Sequence, residues 1–528
     1  MFNTKRNVLK RSLPILILIL VFFLILYLWE KKDIVSTEKK NRTTITIAIC
    51  QNDTVSDYEN NYYKNWLEEQ TGFEIRFEFI PQQYDKEYLY TLLTGKNGKV
   101  DAVFFPEEES FLTKEEFDVY QKSGFLLDIS KYMTQESQLN KLFKEYEADY
   151  LKQRMTTQDG IYYFPNIDTS RKGRNYQILW INFDWLKKLE LQIPTTTEEL
   201  YAVLEAFRDL DPNQNGKKDE QPLVSCEEKY ELQSYQYLIN CFIYNNPLHL
   251  TMYKEQEGEI SFAQLDPDYR EGVKYCASLY REGLLSGISF SFSQKQLMEL
   301  VNAPENMVGA FTSGSIADVI YSNSPDVLAN YIQVPPIAGP KGKINTVKKD
   351  YKLTIGALIP TNSEHPAEAY ELMDLMLSKE ASLIAEYGEE GVDWNYSDIG
   401  DLSTYGTKAR ITTLQYLKNK VQNKHFDGAG PQVVSPEYKN GVTWNGDNSL
   451  IEYIDARAVK GHEPYYYKEA DEVKKALLTI EEEQKKEIQE TFDSMLKLFI
   501  KGELDVGADL AWSGYMTQCE RFRREIVQ

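Results

Sequence analysis

Between Thr44 and Phe105 short apolar strands alternate with helical stretches, and this alternation narrows the fold more than any other feature of the chain. Thr44–Cys50 (TITIAIC) reads as a strand. A helical stretch around Tyr58–Gln70 stops at Thr71-Gly72, with glycine in its usual place past a helix end. Phe73–Ile80 alternates as FEIRFEFI. A helix near Lys86–Leu93 and a short buried strand at Val100–Phe105 follow. Strands alternating with helices predict an α/β architecture with a largely parallel sheet. At 528 residues the chain exceeds what one core usually holds, so two or more lobes are expected.

The pattern continues downstream. Pro194 and the threonines at 195–197 open a helix over Ile193–Leu210, and Thr196 with Glu199 fits a capping box. Leu200, Val203, Leu204 and Phe207 fall on one stripe of that helix. Trp185 and Leu186 read as core residues. Met307–Phe311 and Leu353–Ile359 read as strands, residues 334–343 as a turn-rich excursion, and Ala367–Leu377 as a helix. The last hundred residues are mainly helical.

The N-terminus carries an address. Lys5, Arg6, Lys10 and Arg11 precede an apolar run from Leu13 to Trp29. That run is just long enough to cross a bilayer core of roughly 30 Å. No small-residue cleavage site follows it, and no cysteine stands at its end to take a lipid. The positive-inside rule places residues 1–11 in the cytoplasm and everything after Trp29 outside. The expectation is an uncleaved signal anchor at 12–29 in the cell membrane, a single pass with an extracellular C-terminal domain, and a polar tether at 30–42. The rival is a cleaved signal peptide.

Charge excludes one class of partner. The formal net charge is -22, and such a surface repels phosphate backbones, which argues against nucleic acid. Aromatic residues reach 13%, with 37 Tyr and 7 Trp. An acidic surface rich in these rings suits sugars, whose apolar faces stack on rings while carboxylates and amides bind hydroxyls. The five cysteines form no CxxC pair and do not cluster with the four histidines, which speaks against zinc. Buried free thiols are the default, with a Cys226–Cys241 bridge left open.

One loop has the spacing of a cation site. Asp211-Pro-Asn213-Gln-Asn215-Gly216-Lys217-Lys-Asp219-Glu220 sets oxygen side chains at the first, third, fifth and ninth places and glycine at the sixth. The expected ligands of a structural Ca²⁺ are Asp211, Asn213, Asn215, Asp219 and Glu220, with the Lys217 carbonyl. Pro222 stands where an EF-hand has its bidentate glutamate, so Glu220 is assigned that part. The bland alternative is a hydrophilic helix-capping turn.

Motifs for catalysis are missing from the sequence: GxSxG, HExxH and the P-loop pattern do not occur. Gly428-Ala429-Gly430 lacks the third glycine and the preceding strand of a phosphate cradle. Among 81 acidic residues a glycosidase-like pair stays open, because spacing does not decide it. The expectation is a binding protein and not an enzyme.

Four segments carry a family resemblance. Gly160-Ile161-Tyr162-Tyr163-Phe164-Pro165 resembles "GKIYGLP". Trp180-Ile181-Asn182-Phe183-Asp184-Trp185-Leu186, followed by Ile193-Pro194 and Glu198-Glu199-Leu200, resembles "IRKDWLDKLGLKIPTTxDEL". The Asp211–Glu220 loop is the third, and Tyr387-Gly388-Glu389-Glu390-Gly391-Val392-Asp393-Trp394 resembles "YGIEGxxY/W". Together they span about 160–395. The chain is similar to the large carbohydrate-type extracellular solute-binding proteins of Gram-positive bacteria, alginate-oligosaccharide binders among them.

That resemblance implies a type 2 periplasmic-binding-protein fold: two α/β lobes joined by crossing segments, with ligand in the cleft between them. The lobes are expected at 43–165 with 306–362, and at 166–305 with 363–528. It implies an oligosaccharide ligand delivered to the permease subunits of an ABC importer. The alternative is a membrane-tethered sensor or interaction protein of the same fold. It places Trp394 and Glu390 foremost at the ligand, then Trp180, Tyr162 and Tyr163. Asn182 stands where relatives often carry arginine, and the lipid-bearing cysteine of relatives is absent.

Overall fold

The structure is a computed structural model. It describes residues 42–527 apart from 82–85, 97, 107–111, 113, 146–147, 158–159, 169–176, 256–257, 322, 350–351, 416, 418–419 and 446–448. The strands are β1 (Thr44–Cys50), β2 (Glu74–Ile80), β3 (Ala102–Phe104), β4 (Phe164–Asp168), β5 (Ile178–Asn182), β6 (Gln221–Val224), β7 (Met252–Lys254) and β8 (Ile260–Phe262). Then come β9 (Val308–Ser313), β10 (Tyr331–Val334), β11 (Lys352–Leu358), β12 (Trp394–Tyr396), β13 (Ile411–Thr413), β14 (Gln432–Val434) and β15 (Val442–Thr443).

The chain divides into two units. Of the described residues, the first comprises those within 42–166, 354–388 and 420–432, and the second those within 167–353, 389–417 and 433–527. This partition corrects the expected lobes. Residues 306–353 belong to the second unit, because β9 pairs with both β5 and β6 and β10 pairs with β5. Residues 363–388 belong to the first, where the helix Pro366–Met376 packs its Leu372, Met373 and Met376 inward.

In the first unit six strands form one sheet in the order β14-β4-β11-β3-β1-β2. The strands β1, β2 and β3 run parallel, as the alternation with helices requires. β11 enters antiparallel to β3, so the sheet is mixed rather than largely parallel. The reason is connectivity: β11 arrives from the second unit and not from a crossover helix. Between β1 and β2 lies the helix Tyr62–Thr71. Asn61 caps it by accepting from the Tyr63 and Lys64 amides, and Gly72 ends it in the left-handed region at φ 75°.

The second unit is built on a sheet ordered β10-β5-β9-β6. Both of its faces are covered, and β5 shows how. Leu179 and Ile181 point into one apolar cluster with Trp185, Leu204 and Phe207, while Ile178 and Trp180 point into another with Val224, Phe311 and Tyr331. Side chains alternate faces along a strand, so a run apolar at every position is the mark of a strand buried on both sides. The helix Thr197–Asp209 buries Leu200, Val203, Leu204 and Phe207 against the first cluster. Thr196 accepts from the Glu199 amide, as a capping box requires. The Glu199 carboxylate accepts from the Thr195 amide and hydroxyl, both at 2.7 Å.

A small sheet ordered β12-β13-β15 and a hairpin of β7 with β8 complete the second unit. Its C-terminal part is helical, over Ser449–His462, Asp471–Thr479, Glu482–Ile500 and Asp509–Val527. All five cysteines are free thiols. Among the described residues no helix is long and apolar enough to cross a membrane; the apolar run at 13–29 lies outside them.

Candidate functional site

The turn 389–396 in the second unit carries the two foremost candidates. Its geometry is set by Asp393, whose side chain is fully buried. One carboxylate oxygen accepts from the Glu389 amide at 2.8 Å, and the other takes the side-chain amide of Gln415. Gly391, at φ 81°, donates its amide to the Trp394 carbonyl at 2.8 Å. A left-handed residue closes this turn, which is why glycine stands there. Glu390 is exposed on the turn and bridges through its backbone to Trp394.

Trp394 itself is buried, with 2% of its surface accessible. Two residues on, Tyr396 lies on the same side of β12, with 49% of its surface accessible. The two rings meet edge to face, centroids 5.2 Å apart at 80°. The ring the strand offers to solvent is therefore that of Tyr396, which the sequence reading passed over. The alternation of β12 was the available signal, since positions i and i+2 share a face.

The other aromatic candidates sit apart. Trp180 is a core residue without accessible surface, and its indole Nε1 has no hydrogen-bond partner among the described residues. A stacking platform needs an open face, and β5, covered on both sides, leaves none. This corrects Trp180 as a ligand contact. Tyr162 and Tyr163 belong to the first unit and are half-buried against its core. Tyr163 meets Phe117 edge-on at 5.7 Å, and burial pushes its hydroxyl up to about 12. Gly160, which opens their segment, lies against Asp128, so that a side chain there would strike the carboxylate. That carboxylate accepts from the amides of Ser130 and Ile161. Asn182 is fully buried: it caps the helix Phe183–Lys188 by accepting from the Trp185 amide.

The loop 211–220 closes on itself. Asp211, at φ 46°, accepts from the Asn215 and Gly216 amides, both at 3.1 Å. Asn213 Oδ1 accepts from the Asn215 amide and Asn215 Oδ1 from the Lys217 amide. The side-chain amides of Asn213 and Asn215 donate to Asp219 at 3.3 Å and 3.0 Å. The Asn215 amide foremost holds the Asp219 carboxyl below its ordinary range. Glu220 is buried with Oε1 unpartnered among the described residues. Burial first, then the charges of Asp211 and Asp219, raise its carboxyl above the ordinary range. No three His, Cys, Asp or Glu side chains converge as a metal cluster among the described residues. Two of the five side chains expected on the cation are asparagines.

An α/β chain partitioned in this way has the substrate-binding-protein fold, and solved structures agree. The Streptococcus pneumoniae ABC-transporter substrate-binding protein FusA, solved as an EF-hand mutant in complex with fructo-nystose, superposes at TM-score 0.66 with 19% identity, over 91% of this chain and 96% of that one. An HMO-binding, ABC-transporter-associated solute-binding protein from Bifidobacterium longum infantis gives 0.68 with 18% identity, over 92% and 97%. The alginate-binding protein AlgQ2, solved without calcium ion, gives 0.61 with 17% identity, over 92% and 97%. At these identities the likeness is one of fold.

Residues 52–383 match the model of the bacterial extracellular solute-binding protein, more than half of the chain, and the chain belongs to that family. In sequence it is 33% identical over 222 residues to the fructooligosaccharide ABC transporter substrate-binding protein FusA of Streptococcus pneumoniae serotype 4. That alignment covers 41% of this chain and 38% of the relative.

Proposed function

We propose that the chain captures an oligosaccharide outside the cell and hands it to the permease subunits of an ABC importer. The observation that carries this reading is the kinship with a fructooligosaccharide-binding protein at 33% identity, inside a family of extracellular solute binders. The activity is binding and release, with no covalent step. Isothermal calorimetry on the full chain tests it, against fructans, alginate oligosaccharides, milk-type glycans and peptides. Tight binding to a peptide with no binding to any glycan would defeat it.

A structural Ca²⁺ in the 211–220 loop belongs to the same reading. Support comes from the donor chemistry. Glu220 keeps a buried, unpartnered carboxylate oxygen beside two more carboxylates, an arrangement that a hard cation relieves. Asp211, Asn213, Asn215, Asp219 and Glu220 would hold the ion with the Lys217 carbonyl, once the two asparagine amides turn their oxygens inward.

The segment 12–29 is proposed as an uncleaved anchor. The tether at 30–42 then has a root-mean-square reach of roughly 20 Å. Tethering keeps the binding units at high effective concentration beside a membrane partner. N-terminal sequencing of the native protein decides this: a chain starting near residue 30 means a cleaved signal peptide. A ligand sensor with the same anchor is the second reading. Deletion of the gene separates the two: loss of glycan uptake favours import, and loss of a transcriptional response with uptake intact favours sensing.

A further inference from the structure

Inside the second unit, one apolar layer contains polar atoms that the protein itself does not satisfy. Trp180 of β5 stands directly opposite Gln333 of β10 in the ladder, so the two side chains leave the same face of the sheet. The helix Ser449–His462 covers that face: its Ile451 and Ala458 lie in one apolar cluster with Trp180 and Tyr331. His462 follows Ala458 by one turn, on the same side of the helix. Gly461 brings the helix end against Gln333. A Cβ placed there would stand 3.5 Å from Nε2 and 3.8 Å from Oε1 of that side chain.

Trp180 Nε1, Gln333 Oε1 and His462 Nε2 are all buried without a hydrogen-bond partner. Trp180 has 0% and His462 1% of its surface accessible. Chemistry fixes the part each atom plays. An indole N–H only donates, and an amide oxygen only accepts. His462 Nδ1 lies 2.8 Å from the Ala458 carbonyl, which is an acceptor, so Nδ1 carries the ring proton. Nε2 of the neutral ring is then an acceptor. The three atoms thus make one donor and two acceptors, and the indole N–H can serve only one of the two. Leaving buried polar groups unpaired is costly, so a third party is required. Water is the complement of this set, because it donates twice and accepts. Internal waters typically make about three hydrogen bonds of this kind.

We infer that a single internal water is bound in the second unit between β5, β10 and the end of the helix Ser449–His462, accepting from Trp180 Nε1 and donating to Gln333 Oε1 and His462 Nε2. The water joins the sheet to the helix end at the one place where their apolar contact is interrupted by polar groups. It gives Trp180 a part inside the fold, as a water ligand. The inference stands independently of the oligosaccharide reading, since none of its three ligands is placed at the glycan.

A crystal structure of the full chain that resolves ordered solvent tests this directly. One solvent peak is expected within about 2.7–3.2 Å of all three atoms. A direct hydrogen bond from Trp180 Nε1 to Gln333 Oε1, or no ordered solvent at His462 Nε2, overturns the inference. Magnetic relaxation dispersion of solvent water, which counts long-lived internal waters, tests it in solution on the full chain in detergent. Gln333→Met keeps the length of the side chain and removes its acceptor, and Trp180→Phe removes the donor. Each variant is expected to hold one long-lived water fewer than wild type, with cooperative melting showing that the fold is kept. A count unchanged in both variants overturns the site. If Trp180→Phe does not fold, Gln333→Met and the wild-type crystal structure decide.

Discussion

Asn182 donates its side-chain amide to Oδ1 of Asn306 across 2.9 Å, and the same amide reaches the Val308 carbonyl at 3.2 Å. Its own oxygen caps the helix Phe183–Lys188 at the Trp185 amide. One buried side chain thus ties the end of β5 to a helix start and to the head of β9. Asn306 sits in the left-handed region at φ 49°, where asparagine is tolerated. Asn182→Ala removes the cap and orphans the Asn306 oxygen. The expected loss is about 1.5–3 kcal/mol of unfolding free energy. Urea denaturation measures it, and a loss below about 0.5 kcal/mol would rule out this role.

The calcium loop makes a prediction with a definite pH sign. Glu220 has its carboxyl raised above the ordinary 4.5 by burial, with Asp211 and Asp219 adding to it. A raised carboxyl favours the folded chain when protonated. In the metal-free protein this contribution is therefore present at low pH and lost as pH rises past 4.5 through the raised value. Calcium needs the ionised carboxylate, so its affinity should climb over that same window. Calcium at a hundred times its Kd adds about 2.7 kcal/mol at neutral pH. Glu220→Gln should raise the stability of the chelated protein and abolish the response to calcium. Melting curves with and without chelator at pH 5 and pH 7.5 decide it; no effect of chelator at either pH means a plain turn.

His462 sets an acid limit on the second unit. The imidazole is buried, Nδ1 lies 2.8 Å from the Ala458 carbonyl, and Nε2 has no partner among the described residues. Burial lowers its pKa to about 4, the backbone bond only partly opposing. The ring is neutral at pH 7 and donates from Nδ1. Its stabilising contribution is whole above 6.5, its unfolded value, and drains away as pH falls toward 4, by up to about 3 kcal/mol. His462→Gln should flatten stability between pH 6.5 and pH 4. Equal acid slopes in variant and wild type would refute the assignment.

Gly309 lies where β9 passes the helix Thr197–Asp209. A Cβ there would stand 2.7 Å from the Pro222 carbonyl oxygen and 2.5 Å from the Phe207 ring. The neighbour on one side is backbone and cannot turn away. Gly309→Ala should therefore cost about 1–3 kcal/mol, which calorimetric unfolding would register as a lower melting temperature. A variant as stable as wild type would mean that β9 and β6 separate without cost.

Local pattern determined a good deal of this protein. The strand Thr44–Cys50, the helix stop at Gly72, the Thr196 cap and the stripe Leu200, Val203, Leu204 and Phe207 stand where periodicity puts them. Each depends on neighbours within one or two turns of chain, and those neighbours are in the sequence. Trp185 and Leu186 fall in the core for the same reason. Tertiary structure decided what local pattern leaves degenerate. Trp180 and Tyr396 are both aromatic and both on strands. The first is sealed because β9 and β10 flank β5 within a sheet covered on both faces; the second is half exposed on β12, two residues beyond the buried Trp394. Likewise residues 306–353 joined the second unit through pairing with strands more than 80 residues away in sequence. Burial and pairing depend on which distant segments arrive beside a strand, and no short window of sequence contains them.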